Sequence, residues 1–183
     1  MNGPQTLILL VLALLGVFAE AVVDFPRIWL RTQFNVLPPL VVYASLSGGV
    51  GTLVLLATVG GLCADALSGN PMGVSVLPLF WVGLALHWRR ELILRDLPYA
   101  QFVLGGMAAA AVPVLTLVVL LTLGENPLLG WGTLWQILIV TIGGAALTPP
   151  CFSVMETLKR AFAYQASTTT PFPANREIKR KRY

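Results

Sequence analysis

Gly60-Gly61-Leu62-Cys63-Ala64-Asp65-Ala66-Leu67-Ser68-Gly69-Asn70-Pro71-Met72-Gly73 sits in a long apolar tract, and Asp65 is the only formal charge between Arg31 and Arg89. A carboxylate at lipid depth is costly unless it is paired, neutralised or turned away from lipid. On a helix over residues 53–68, at about 100° per residue, Ala57, Gly60, Gly61, Ala64, Asp65 and Ser68 share one arc of roughly 140°. Leu55, Val59, Leu62 and Ala66 fall opposite. Small residues let a neighbouring helix approach closely, and a bulky face suits acyl chains. Asp65 is therefore expected to point inward. Gly69 supplies a residue that takes the left-handed cap conformation cheaply. Asn70-Pro71 predicts an N-cap and the first position of the next helix. The stretch reads as helix, tight turn, helix, with one carboxylate beside the turn. Two roles follow for Asp65: capping donors at the turn, or anchoring a partner helix or a function, as intramembrane acids generally do.

The surrounding chain fits that setting. Of 183 residues, 56% are hydrophobic and 11% charged, against about 25% charged in an ordinary soluble domain. The length accommodates one membrane domain of five or six spans at about 20 residues each, without a separate soluble catalytic domain. Cys63 and Cys151 lie far apart in apolar tracts and form no metal-ligand pair, so both are expected to be small packed residues. Residues 6–19 followed by Ala19-Glu20-Ala21 resemble a signal peptide with its cleavage site, but no Lys or Arg precedes them. A retained first span is the expectation.

In chain order the predicted spans are about 4–23, 37–47, 51–68, 71–88, 98–123 and 132–150. The tract 36–68 is too long for one span at about 1.5 Å per residue, and Ser47-Gly48-Gly49-Val50-Gly51 is its natural break. The linker 24–35 mixes Phe25, Trp29, Arg27 and Arg31, which suits the headgroup layer. His87 stands beside Trp88, Arg89 and Arg90 and reads as an interface residue. Pro113 should kink span five, and Pro149-Pro150 should bend or end span six. Phe152, Met155, Leu158 and Phe162 then predict a short amphipathic helix over about 151–164, at the membrane surface. Residues 165–183 are Thr/Pro-rich and then basic, a disordered tail suited to anionic lipid or an acidic partner rather than nucleic acid. Six spans with both termini cytoplasmic put Arg89, Arg90, Arg95 and every Lys and Arg from Lys159 onward inside, leaving Arg27 and Arg31 outside.

No G-x-x-x-x-G-K-[ST], G-x-S-x-G or H-E-x-x-H motif occurs, nor a paired-carboxylate cluster. One His, one well-buried acid and, at most, Glu20 as a second assemble no convincing acid–base machinery. The expectation is no enzyme, no cofactor and no metal.

Gly61-Leu62-x-x-Asp65-x-x-Ser68-Gly69-x-Pro71-Met72-Gly73, followed by Leu77-Pro78-Leu79-Phe80, resembles the signature of the rod shape-determining MreD family. The likeness covers about residues 5–160. It implies an all-α membrane protein of six transmembrane helices, with a fold like the substrate-binding subunits of energy-coupling-factor transporters. It further implies the bacterial cytoplasmic (inner) membrane, direct binding of MreC, and shared machinery with MreB, RodA and the elongation transpeptidase. Gly61, Asp65, Ser68, Gly69, Pro71 and Gly73 would shape the turn and inner face that support partner contact. The chain departs from the family pattern at Met72, where Leu is usual, in lacking Arg near Ser47–Gly51, and in its long tail. The alternative is a substrate-binding subunit of a vitamin-type uptake transporter. That reading needs a polar pocket, for which Gln33, Asn35, Asn70 and Asn126 are the main candidates. A lipid-precursor flippase is disfavoured by the lack of buried cations to meet a pyrophosphate.

Overall fold

Leu37-Pro38-Pro39-Leu40-Val41-Val42-Tyr43-Ala44 has no polar face, and a helix that is apolar all round must be surrounded on all sides. A computed structural model describes residues 3–22, 35–69, 71–90, 97–124 and 130–167, and among these every element is a helix. The six are α1 (Gly3–Val22), α2 (Leu37–Ser47), α3 (Val50–Ser68), α4 (Val76–Arg89), α5 (Pro98–Thr122) and α6 (Trp131–Ser167). Every residue of α2 from Leu37 to Leu46 is buried, and α2 touches all five other helices. The short apolar helix is thus the axis of the bundle, and the others ring it.

The ring helices are one-sided. On α1, Leu9, Ala13 and Val17 are buried while Leu7, Val11, Leu14, Phe18 and Val22 are exposed, a division at helical spacing. Exposed bulky side chains on this scale are at home in acyl chains rather than water. Val50–Ser68, Pro98–Thr122 and Trp131–Ala161 are long and apolar enough to cross a membrane, by length and composition. The chain is accordingly a multi-pass membrane protein with three candidate spans among the described residues.

α5 and α6 make the closest pair, because glycine removes the side chains between them. A methyl at Gly105 would overlap the Thr148 side chain, and one at Gly144 would overlap Ala109. Thr148 is fully buried there, its hydroxyl donating to Gly144 O at 2.7 Å. At the α2–α3 end, Thr6 and Thr52 hydroxyls meet at 3.2 Å. His87 Nδ1 lies 2.9 Å from Ser45 O. A carbonyl only accepts, so the Nδ1 proton is on His87, tying α4 to the end of α2. That tether was expected to be a simple interface position.

Two predicted boundaries move. The fourth helix starts at Val76, not at residue 71, and residues 72–75 form a turn. Gly73 has φ +96°, which no right-handed helix accepts, and the Asp65 carboxylate holds the turn's N–H groups. Asn70-Pro71 therefore does not open α4. The second change is larger: α6 runs unbroken through Pro149 and Pro150 to Ser167, so the predicted end at 150 and the separate surface helix at 151–164 are one element. Each proline removes a helical N–H. Here packing on both sides overrides that loss. Ala145 and Thr148 pack against Gly106 and Gly105 of α5. Beyond the prolines Phe152 meets Tyr43 edge-on at 5.0 Å, and Met155 joins the same core. Lys159 lies with Nζ 4.9 Å from the Tyr43 ring centroid, a cation–π contact. The linker 23–34, residues 91–96 and 125–129, and the tail from 168 on lie outside the described residues, with the assignments made there.

Candidate functional site

Asp65 lies on the last turn of α3, on the small-residue face. Ala57, Gly60, Gly61 and Asp65 are buried, while Leu55, Leu62 and Ala66 are exposed. The Asp65 side chain is fully buried. Gly61 is what lets the next segment close over it, since a methyl there would stand 2.9 Å from Val76 Cγ2 and 3.0 Å from Val76 Cα.

The chain leaves α3 through Gly69 at φ +70°, turns, and comes back at Gly73 at φ +96°. Both values lie in the left-handed region that favours glycine. Within the turn Val74 N donates to Pro71 O at 3.3 Å. The Gly73 N–H donates to Asp65 Oδ2 at 2.8 Å, and the Ser75 N–H reaches Oδ2 at 3.1 Å and Oδ1 at 3.2 Å. Asp65 is a cap supplied from eight residues away. Its oxygens meet the backbone donors just before the first turn of α4. Buried carboxylates are sustained by such charge-assisted bonds.

The six signature residues therefore divide into two groups. Gly61, Asp65 and Gly73 build the inside of the turn. Ser68, Gly69 and Pro71 are exposed, and Met72 beside them is 79% exposed. Asn70 lies outside the described residues. What the turn offers a neighbour is its rim, because the carboxylate is already engaged by its own backbone.

A second feature adjoins the turn. A cleft of about 410 Å³ opens between α1, α3, α5 and α6, above the first residues of α2. Ser68 and Ser75 reach it from the turn, Glu20 from α1 and Asn35 from the start of α2. Thr116, Thr133 and Gln136 face it from α5 and α6. Val17, Ala64, Val112, Ile137 and Val140 supply its apolar wall. The cleft exists because α2 has only 11 residues, about 16 Å of helix, so the ring helices rise past its first turn. The free N–H groups at that first turn are met by side chains: Glu20 Oε1 accepts from Val36 N, and Asn35 Oδ1 accepts from Leu37 N at 3.0 Å.

Of the predicted pocket residues only Asn35 is found there, since Gln33, Asn70 and Asn126 lie outside the described residues. Glu20, Thr116 and Gln136 were not anticipated as pocket-lining residues. A usable signal existed for Glu20: at 100° per residue it falls on the Leu9, Ala13 and Gly16 face of α1, and that face is the packed one. Cys63 and Cys151 are half-buried free thiols, and no group of three or more His, Cys, Asp or Glu that could hold a metal occurs among the described residues. Compared with family models, curated proteins and solved structures, the chain matches none.

Proposed function

We propose that this chain is a non-enzymatic membrane scaffold of the bacterial cell-elongation machinery, akin to MreD. It would bind MreC directly and help position peptidoglycan-synthesis enzymes, with MreB, RodA and the elongation transpeptidase in the same assembly. In this reading all six helices lie in the cytoplasmic membrane, the termini are inside, and the Ser68–Val76 turn faces out. The fold would resemble substrate-binding subunits of energy-coupling-factor transporters. The observation that carries the proposal is the buried Asp65 cap. The residues of the G-L-x-x-D-x-x-S-G-x-P-M-G pattern divide between a pinned interior and an exposed rim, as a contact surface requires. Rigid turns of this kind lower the ordering cost of association.

The test is affinity purification of the tagged full chain from native bacterial membranes, followed by mass spectrometry. MreC should be recovered with the wild-type chain and lost with Met72→Arg, which alters the exposed rim without touching the Asp65 bonds. Absence of MreC from a well-folded wild-type sample would defeat the scaffold reading. The uptake-subunit alternative gains one specific support, the polar-lined cleft beside the turn. Tight copurification of a vitamin with the chain, in place of MreC, would favour it.

A further inference from the structure

We infer that the cleft beside the turn is a binding site for a small amphiphilic organic cation, a protonated amine on an apolar body, with Glu20 as its counter-ion. This inference stands independently of the function proposed above, since neither MreC binding nor its absence bears on it. The volume, about 410 Å³, lies within the roughly 300–1,000 Å³ usual for small-molecule pockets. The lining is that of such a pocket: an apolar wall with a few convergent polar groups.

Charge chooses the class of ligand. Among the described residues that line the cleft, Glu20 is the only ionisable side chain, and none is Lys, Arg or His. On that described lining an anion would meet Glu20 and no side chain of opposite sign, which favours a cation over phosphates and carboxylates. A metal ion is a poor fit, because no cluster of three ligating side chains is present among the described residues. What remains is a cation that needs one carboxylate, hydrogen-bond acceptors such as Ser68, Thr116 and Gln136, and an apolar wall. Glu20 is held in place for this: Val36 N donates to its Oε1, so the side chain is oriented by the backbone at the start of α2. An ionisable side chain placed among spans is costly there and ordinarily has a partner.

The experiment uses the full chain in lipid nanodiscs and two probes of nearly equal shape and opposite charge, tryptamine and indole-3-propionate. Ligand-observed NMR reads binding, with empty nanodiscs subtracted to remove partition into lipid. Tryptamine should bind saturably and indole-3-propionate should not. Glu20→Gln keeps an acceptor for Val36 N but loses the charge, and should weaken tryptamine about tenfold or more, the worth of a charge-assisted bond. Ala21→Trp, at an exposed position on the cleft rim, should block the site without relying on Glu20. Equal binding of both indoles overturns the inference. So does tryptamine binding that is indifferent to both variants, or no binding of tryptamine at all.

Discussion

At Asp65 the two roles open from the sequence make different demands on a substitution. As a cap, the side chain supplies acceptors to the N–H groups of Gly73 and Ser75. Asp65→Ala takes that partner from both half-buried donors. The loss should be about 1–2 kcal/mol, read as a lower melting temperature in detergent. Asp65→Asn keeps one carbonyl acceptor and should fall between wild type and alanine. An Asn variant that melts below the alanine variant would mean that the charge, rather than the hydrogen bonds, carries the effect. Gly73→Ala tests the same turn from the other side. Its surroundings are open, with nothing within 4 Å of the added methyl, so any loss comes from holding a Cβ at φ +96°. That strain is about 1 kcal/mol. If these variants melt lower yet keep the proposed MreC contact, the carboxylate serves the turn and the rim would serve that partner.

Between elements, the decisive contact is the glycine-lined seam of α5 and α6. Gly105→Ala and Gly144→Ala each drive a methyl into a buried neighbour, and overpacking of this kind costs about 1–3 kcal/mol. Gly51 is the matched control: it lies in the first turn of α3 with nothing within 4 Å. Gly51→Ala should be neutral or raise the melting temperature slightly, since alanine is the better helix former. Equal effects at all three positions would mean that the seam is looser than described. The same contrast explains what the sequence could reveal. Asp65 and its small-residue face were legible because one charge in an apolar tract, set at helical spacing, has only one affordable direction. The break at Gly48-Gly49 was legible because helix length alone forbids a single span. Capping at the turn was one of the two roles open for Asp65, but its donors at Gly73 and Ser75 were not legible, since they depend on which backbone the carboxylate reaches after the turn. Local rules also ended α6 at Pro149-Pro150, whereas Thr148, Phe152 and Met155 hold both sides of the pair against α5 and α2. Tertiary packing outweighs the lost donors there. Glu20 needed only the arithmetic already used for Asp65. The cleft it faces needed the shortness of α2 to be weighed against the length of its neighbours.

At the scale of the whole molecule, lengths and charges together constrain how the bundle meets a bilayer. α6 has 37 residues, about 55 Å of helix, against a hydrocarbon layer of about 30 Å. It must project from the membrane. Trp131 and Trp135 are exposed at its first turns, where indoles suit the headgroup layer, so the projection belongs at the other end, beyond Met155. Lys159 and Arg160 lie there, and Arg89 and Arg90 close α4 at the end of the bundle where His87 meets α2. Among the described residues cations gather on that side, which under the proposed orientation would be the cytoplasmic one by the positive-inside rule. α2, at about 16 Å, cannot cross alone, and the ring helices surround it. Single cysteines at exposed positions test this orientation once Cys63 and Cys151 are replaced by alanine. A membrane-impermeant thiol reagent applied to intact cells should label Met72→Cys and Leu123→Cys. Gly49→Cys and Tyr99→Cys should react only after the membrane is opened. If residues 49 and 72 were labelled from the same side, α3 would not span, and the Asp65 turn would share a compartment with the cationic end.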